Sequence, residues 1–490
     1  MRRILAASAL GLALLAGVLL LRAVLLPSRQ LEATPAAALA VDPKALAERL
    51  ALAIRIRTIS HQDRAELDTR AFRELHSYLA AIYPAAHAAL ERETLAGLSL
   101  LYTWQGRNPE LRPVLLAAHQ DVVPVEAESE ADWTHPPFDG VVREGVVWGR
   151  GAMDDKASMI CLLEAVERLV REGFRPERTV YLAFGHDEEV GGDEGAKQIA
   201  LLASRGVALE WVIDEGGIIA ANFLPGIEAA VAVIGIAEKG SVSIILEVEA
   251  PGGHSSTPPR HTAIGNLASA IAALESHPMP ASIDGATALF LDYLAPELPF
   301  PARIVLSNRW LFGPALRYGF SREPALDAML RTTTAVTIFE AGVKTNVLPK
   351  RARAVANFRI HQNDSIDAVV RHVRKTIDDE RIRLHVDVRT PPRNPSVVSP
   401  VDSEAFLGLA RTIREVFPGV AAVPCLALVG TDARHYHIVS ENVYRFRPYV
   451  FGRDALRLAH GTDERITAEN LVGAVRFYAR LIQNAAGPSH

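Results

Sequence analysis

Three short apolar runs in this chain each end abruptly in acidic residues or histidine. Residues 113–118 (PVLLAA) lead into His119-Gln120-Asp121, and residues 179–184 (TVYLAF) into Gly185-His186-Asp187-Glu188-Glu189. Residues 209–213 lead into Asp214-Glu215-Gly216-Gly217. Short apolar runs bounded by turn formers read as buried strands, and in an open α/β sheet the ligand site lies beyond the carboxyl ends of the strands. One acidic loop is ordinary, because loops are polar. Three of metal-ligand type at three strand ends point to one shared site. Between the first two runs, residues 156–171 place Glu164, Glu167, Arg168 and Arg171 on one helical face and Cys161 on the apolar side. Helical patterning also covers residues 43–56 and 68–82.

From about Gly240 the texture changes. Residues 241–250 (SVSIILEVEA) alternate like a strand with one exposed face, and 260–276 are helical. Strand candidates follow at 335–341 and 352–360, a helix at 365–377 and a strand at 383–388. The order βαββαβ is that of a ferredoxin-like unit. A Pro-rich stretch, 277–331, interrupts it without an assignment of its own. After Pro391 the first texture returns, and Thr467 is an N-cap candidate for a final helix reaching Asn484. At 490 residues the chain exceeds what one core usually serves. The expected organisation is α/β: a catalytic domain built from residues 41–239 and 392–490, split by an inserted domain at 240–391.

Residues 1–40 stand apart. Positions 4–21 carry no charge, and 18 residues of helix span about 27 Å, close to the hydrocarbon thickness of a bilayer. Arg2 and Arg3 precede the run and favour a cytoplasmic N-terminus, while Arg22 can snorkel to the far interface. A cleaved signal is the competing reading, but its apolar region is normally shorter and its small-residue site nearer than Ala38-Leu39-Ala40. The expectation is an N-terminal transmembrane helix with a tether up to residue 40. The catalytic part then lies outside the cytoplasm, membrane-anchored, or secreted if the segment is cleaved.

Several functions are disfavoured at once. The net charge of −5 gives no sign of a nucleic-acid partner. Two cysteines, Cys161 and Cys425, exclude a disulfide scaffold and a Cys-rich metal module, and leave one bridge open. HExxH, GxxxxGK[ST] and GxSxG are absent. What remains are pairs: His119 with Asp121, Asp154 with Asp155, Glu188 with Glu189, Asp214 with Glu215, and His460 with Asp463. On an extended segment, residues i and i+2 face the same side, so Asp121 can accept a ring N–H of His119 and fix its orientation for a metal. Adjacent carboxylates such as Glu188-Glu189 need a cation or a proton to coexist.

These loops taken together resemble the M20 metallopeptidases, nearest to the carboxypeptidase S and N-acyl-amino-acid hydrolase branch. The resemblance covers roughly residues 45–485. It rests on AHQDVVPV (118–125), WGRGAMDDKA (148–157), GHDEEVGG (185–192), DEGG (214–217), PGGHSSTPP (251–259), KTNVLP (344–349), GTDARHY (430–436) and HGTDER (460–465). It implies a zinc-peptidase-type α/β catalytic domain with an inserted ferredoxin-like lid or dimerisation domain. It further implies two zinc ions bridged by Asp154 and a water, with His119 and Asp214 on one metal and Glu189 and His460 on the other. Glu188 matches the general base, Asp121 the partner of His119, and His254 a donor to the oxyanion, brought in by domain closure or by a second subunit. Arg359 and Asn346 match positions that grip the substrate's carboxylate, and Gly430 a backbone contact. The Asp154-Asp155 bond is expected to be a non-proline cis peptide. Asp463 and Glu464 are expected to support their loop.

The function so implied is hydrolysis of an amide next to a free C-terminal carboxylate, as in a carboxypeptidase. The alternative is an aminoacylase acting on N-acyl amino acids, which breaks the same bond beside the same carboxylate. Either substrate is a small molecule, and a homodimer through the inserted domain is possible within the family. A non-catalytic ectodomain on a peptidase fold would show a lost ligand or base, and every expected position is filled.

Overall fold

A computed structural model describes residues 1–37, 39–222, 230–452 and 457–488. Ala38, part of the alternative cleavage site, lies outside them. The chain opens with helix α1 (Arg2–Val24), in which only Ala23 is buried. Its 23 residues are about 34 Å long at helical rise. Arg22 donates its Nε to the Ser307 carbonyl at 3.2 Å.

The three apolar runs form the centre of a ten-stranded sheet. Strand β1 (Val114–His119) lies between β2 (Val180–Gly185) and β3 (Trp211–Asp214), parallel to both. Every residue of these strands is buried, as strands of a parallel sheet covered on both faces must be. The carboxyl ends of β1 and β2 coincide, with His119 opposite Gly185 in the ladder, and β3 ends beside them. Between β1 and β2 runs helix α2 (Lys156–Arg171), whose charged face is covered at its two glutamates while Arg171 stays exposed. Glu164 and Glu167 are buried there, the first paired with Arg49 and Arg168, the second with Arg171 and the Ala86 N–H. Cys161 packs on the apolar side, and both cysteines are free thiols.

Strand β4 (Gly240–Glu249) begins a second sheet. It is followed by α3 (Ala263–Ser276), α4 (Gly285–Leu294), α5 (Phe300–Ser307), α6 (Arg309–Phe320), β5 (Thr333–Ala341), β6 (Arg351–Ile360), α7 (Ile366–Ile377) and β7 (Ile382–Val386). The strands pair antiparallel in the order β5-β6-β4-β7, the ferredoxin-like order. One face of this sheet makes its own core, in which Val242, Ile244, Leu246 and Val248 meet Leu267, Leu274, Val369 and Val373.

The stretch 277–331 contains helices α4 to α6. Its buried side chains Phe290, Leu291, Leu294 and Leu306 join the core of the ten-stranded sheet, not that of the smaller one. The chain then returns to the large sheet, first through Ala421–Ala427 and then through β8 (Val443–Arg445), parallel to β3, and closes with α8 (Ala468–Ala486). Thr467 caps α8 by accepting the Asn470 N–H, as its position suggested.

Candidate active site

The carboxyl ends of β1, β2 and β3 deliver their loops to one place. His119, the last residue of β1, is buried. Its Nδ1 lies 3.0 Å from the Asp121 carbonyl and 3.3 Å from the Asp121 Oδ1. The outward-facing Nε2 lies 3.1 Å from Asp154 Oδ1 and 3.6 Å from Glu215 Oε1. The two carboxylate oxygens of Asp121 also accept the backbone N–H groups of Glu188 and Glu189, at 3.3 and 3.1 Å. One buried carboxylate thus fixes both the imidazole and the turn that carries the paired glutamates.

Asp154 stands between two histidines. Its Oδ1 faces His119 and its Oδ2 faces His460, whose Nε2 is 3.4 Å away and also 3.1 Å from Glu189 Oε2. The Asp154-Asp155 peptide bond is cis. The loop carrying Asp154 is held from below by Glu464, a fully buried side chain. It accepts from the backbone N–H groups of Gly151, Met153 and Asp154 and pairs with Arg150 at 2.7 Å. Asp463 accepts both the N–H and the hydroxyl of Thr134. Both residues support the loop.

Glu215 belongs to this cluster, whereas among the described residues the Asp214 side chain makes no hydrogen bond or ion pair with it. The two are adjacent at the end of β3, where successive side chains face opposite ways. Glu215 turns to His119 and Arg447, at 3.6 and 3.2 Å. Asp214 is buried, with one carboxylate oxygen lacking a partner among the described residues. Sequence reasoning passed over Arg447 entirely. Its Nη1 lies 3.3 Å from Asp154 Oδ1 and donates to the Met153 carbonyl at 2.9 Å. An arginine in RFRPYV, outside every motif, carries no spacing signal of its own.

The electrostatics are those of a cation site. Asp121, Asp154, Asp155, Glu188, Glu189 and Glu215 converge, with Arg447 among them. Burial pushes the Glu188 carboxyl well above the usual range; His119 opposes this, and the carboxylates of Asp432, Glu189 and Asp121 add to it. Burial likewise raises Glu189 and Glu215. His460 is pushed up to about 10 by its hydrogen bonds to Asp154 and Glu189. His119, Asp154 and Glu189 offer one set of ligand atoms within 4.8 Å of one another, and His119, Asp155 and Glu215 a second. Glu189 Oε1 and Asp155 Oδ2 are buried without a partner among the described residues. Buried carboxylate oxygens without partners are costly, and divalent ions bound by imidazole and carboxylate would satisfy them. The donor set fits.

The loop after β2 is shaped around Asp432. A Cβ on Gly192, whose φ is +67°, would sit 1.9 Å from Asp432 Oδ1, so only glycine lets the two approach. Arg434 donates to the carbonyls of Gly191 and Thr431, each at 2.6 Å, and its guanidinium lies 3.3 Å from where a Gly430 side chain would begin.

The remaining expected residues lie apart from this cluster. His254 lies on a two-stranded ribbon (Gly253–His254 with Val347–Leu348) opposite Val347, and beside it the Ser255 N–H donates to the Asn346 carbonyl at 3.2 Å. His254 and Asn346 are both exposed. Arg359 is exposed on β6, and among the described residues no carboxylate pairs with it. None of the three shares a hydrogen bond or ion pair with the cluster among the described residues.

Comparison with known proteins agrees with this geometry. Residues 115–484 match the model of peptidase family M20/M25/M40. The chain is 41% identical over 444 residues to a probable carboxypeptidase S-like 2 of Dictyostelium discoideum, covering 90% of this chain and 85% of that one. It is equally 41% identical over 448 residues to the N-fatty-acyl-amino acid synthase/hydrolase PM20D1 of Mus musculus, covering 90% and 88%. Among solved structures, the fold is shared with an M20 family metallo-carboxypeptidase from Sulfolobus solfataricus, at TM-score 0.65 and 18% identity, covering 90% of this chain and 99% of that one. It is shared also with human carnosine dipeptidase 1, at TM-score 0.62 and 15% identity, covering 91% and 97%. The chain belongs to peptidase family M20/M25/M40 and is a metallopeptidase or amidohydrolase of that family.

Proposed function

We propose that the chain is a di-zinc hydrolase that cleaves an amide bond beside a free C-terminal carboxylate. The observation that carries this reading is Asp154, one carboxylate with an oxygen on each of two histidines. Held there, it would bridge one metal carried by His119 with Glu215 and a second carried by Glu189 and His460. Glu215 takes the place for which Asp214 was the expectation. Two such metals would polarise the substrate carbonyl and acidify water.

The chain's own residues do the rest. Glu188, raised by burial, takes a proton from the attacking water and returns it to the leaving amine. Asp121 keeps His119 in its tautomer and fixes the backbone beneath Glu188. Arg359 and Asn346 grip the substrate carboxylate, Arg359 through a two-pronged pairing, with Gly430 offering backbone. His254 donates to the oxyanion. The exposure of His254, Asn346 and Arg359 is consistent with a closing movement of the ferredoxin-like unit, or with delivery by a second copy. The exposed Ile338 and Phe339 on the edge strand β5 suit pairing of two copies there. α1 serves as a membrane anchor that holds the catalytic part outside the cytoplasm.

Peptides with a free C-terminus are the first substrate class. The second, N-fatty-acyl amino acids, is favoured by the name of the mouse relative. A panel of N-blocked dipeptides, N-acetyl and N-oleoyl amino acids, and their carboxamides tests both. Cleavage of acids and sparing of carboxamides is the expected result; equal cleavage of both would mean that no carboxylate grip operates.

A further inference from the structure

Helices α5 and α6 carry an exposed surface that catalysis does not use. Trp310 is 60% exposed and Tyr318 66%, with Phe300 and Leu311 exposed beside them. Along α6, Trp310, Pro314, Arg317 and Tyr318 recur at helical spacing and are all exposed, which makes one continuous face. The stretch 298–322 contains Arg303, Arg309, Arg317 and Arg322 and no Asp or Glu. The Arg322 guanidinium lies 5.0 Å from the centre of the Tyr318 ring. An aromatic and basic face is the composition that settles at the boundary between lipid headgroups and acyl chains.

Its position is fixed by α1. Asn308, fully buried at the junction of α5 and α6, donates Nδ2 to the Leu19 carbonyl at 3.1 Å and accepts the Trp310 indole N–H at 3.3 Å. Arg22 donates to Ser307 beside it. The α5–α6 junction is therefore bonded to the last two turns of α1, the part of a spanning helix that leaves the hydrocarbon. An α1 that crosses a bilayer holds Trp310 within one side chain's reach of the headgroups.

We propose that the face of α6 carrying Trp310, Arg317 and Tyr318, with Phe300 of α5, lies in the headgroup region of the membrane that α1 crosses, and that its arginines meet anionic lipid. This rests on the reading of α1 as an anchor. Arg309 is paired with Asp292, but Arg303, Arg317 and Arg322 have no paired carboxylate among the described residues. Such cations select a negative surface, and the bond from Asn308 to α1 selects a bilayer over a soluble partner. The catalytic body is then seated on the membrane through two contacts instead of swinging on a tether.

The test uses the full chain reconstituted in vesicles of phosphatidylcholine and phosphatidylserine with brominated acyl chains, comparing the native protein with Trp310→Phe. The native tryptophan emission should be quenched by bromolipid, and the quenched component should vanish in the variant. It should also shrink when phosphatidylserine is omitted. Equal quenching in both proteins, or a Trp310 component quenched by aqueous iodide instead, overturns the proposal while the anchor stands. Protein that does not float with the vesicles overturns anchor and proposal together. Cross-linking of two copies through Trp310→Cys with no bromolipid quenching overturns it in favour of self-association.

Discussion

Asp154 and Glu215 show what single residues could and could not disclose. Asp154 was legible because its motif, GRGAMDDKA, is long and specific. That Glu215 and not Asp214 turns to His119 was not legible, because which of two adjacent acids faces inward depends on the phase of the chain at the end of β3, which the motif DEGG does not encode. The geometry makes the choice testable. Glu215→Gln should weaken zinc binding by at least about tenfold, as loss of a partner around a metal generally does, whereas Asp214→Asn should leave the zinc content of the purified protein unchanged. Glu188 should behave differently from both. Glu188→Gln should lower kcat by roughly 10²–10⁴-fold, the usual contribution of a general base, with full zinc retained in elemental analysis. A variant that loses metal and turnover together would make Glu188 a ligand instead.

At the level of elements, the two sheets were readable and the connection between them was not. Strands β4, β6 and helix α7 announce themselves by alternation and by helical spacing. Helices α4 to α6 hide because prolines punctuate them. Pro301 sits in the first turn of α5, where it is harmless, and Pro314 inside α6. The join between sheets is held by Lys239, just before β4. Its Nζ donates to the carbonyls of Ala328 and Arg331, at 3.0 and 2.9 Å. Burial pushes its pKa down to about 7 against an unperturbed 10.5. The unfolded chain therefore holds a proton between these values that the folded chain has released, so this position adds stability as pH rises from about 7 to 10.5. Denaturant unfolding at pH values of about 7.5 and about 9.5, both inside that window, should show the gain, and Lys239→Met should flatten it; an unchanged slope would place the charge in solvent. Beneath the active site, Glu464→Ala strands Arg150 and three N–H groups. A loss of about 3–5 kcal/mol in unfolding free energy is expected for a broken buried pair, and a change under about 1 kcal/mol would show that the loop stands without it.

For the molecule as a whole, a split sheet brings residues from positions 119 to 460 together, and the centre of this was legible in the sequence because the three strands β1, β2 and β3 each end in their own acidic loop. The second subset, His254, Asn346 and Arg359, was identified by motif, but its distance from the cluster depends on how the two sheets are arranged, which no motif records. The proposed function makes catalysis depend on the cluster holding metal. The decisive measurement is amide hydrolysis of one carboxylate-bearing substrate by the full-length protein, with zinc counted in the same sample, before chelation, after it, and after zinc is restored. Two zinc ions per chain are expected, with activity lost as the metal leaves and both regained together. Undiminished turnover after complete removal of metal would refute a metal-dependent site.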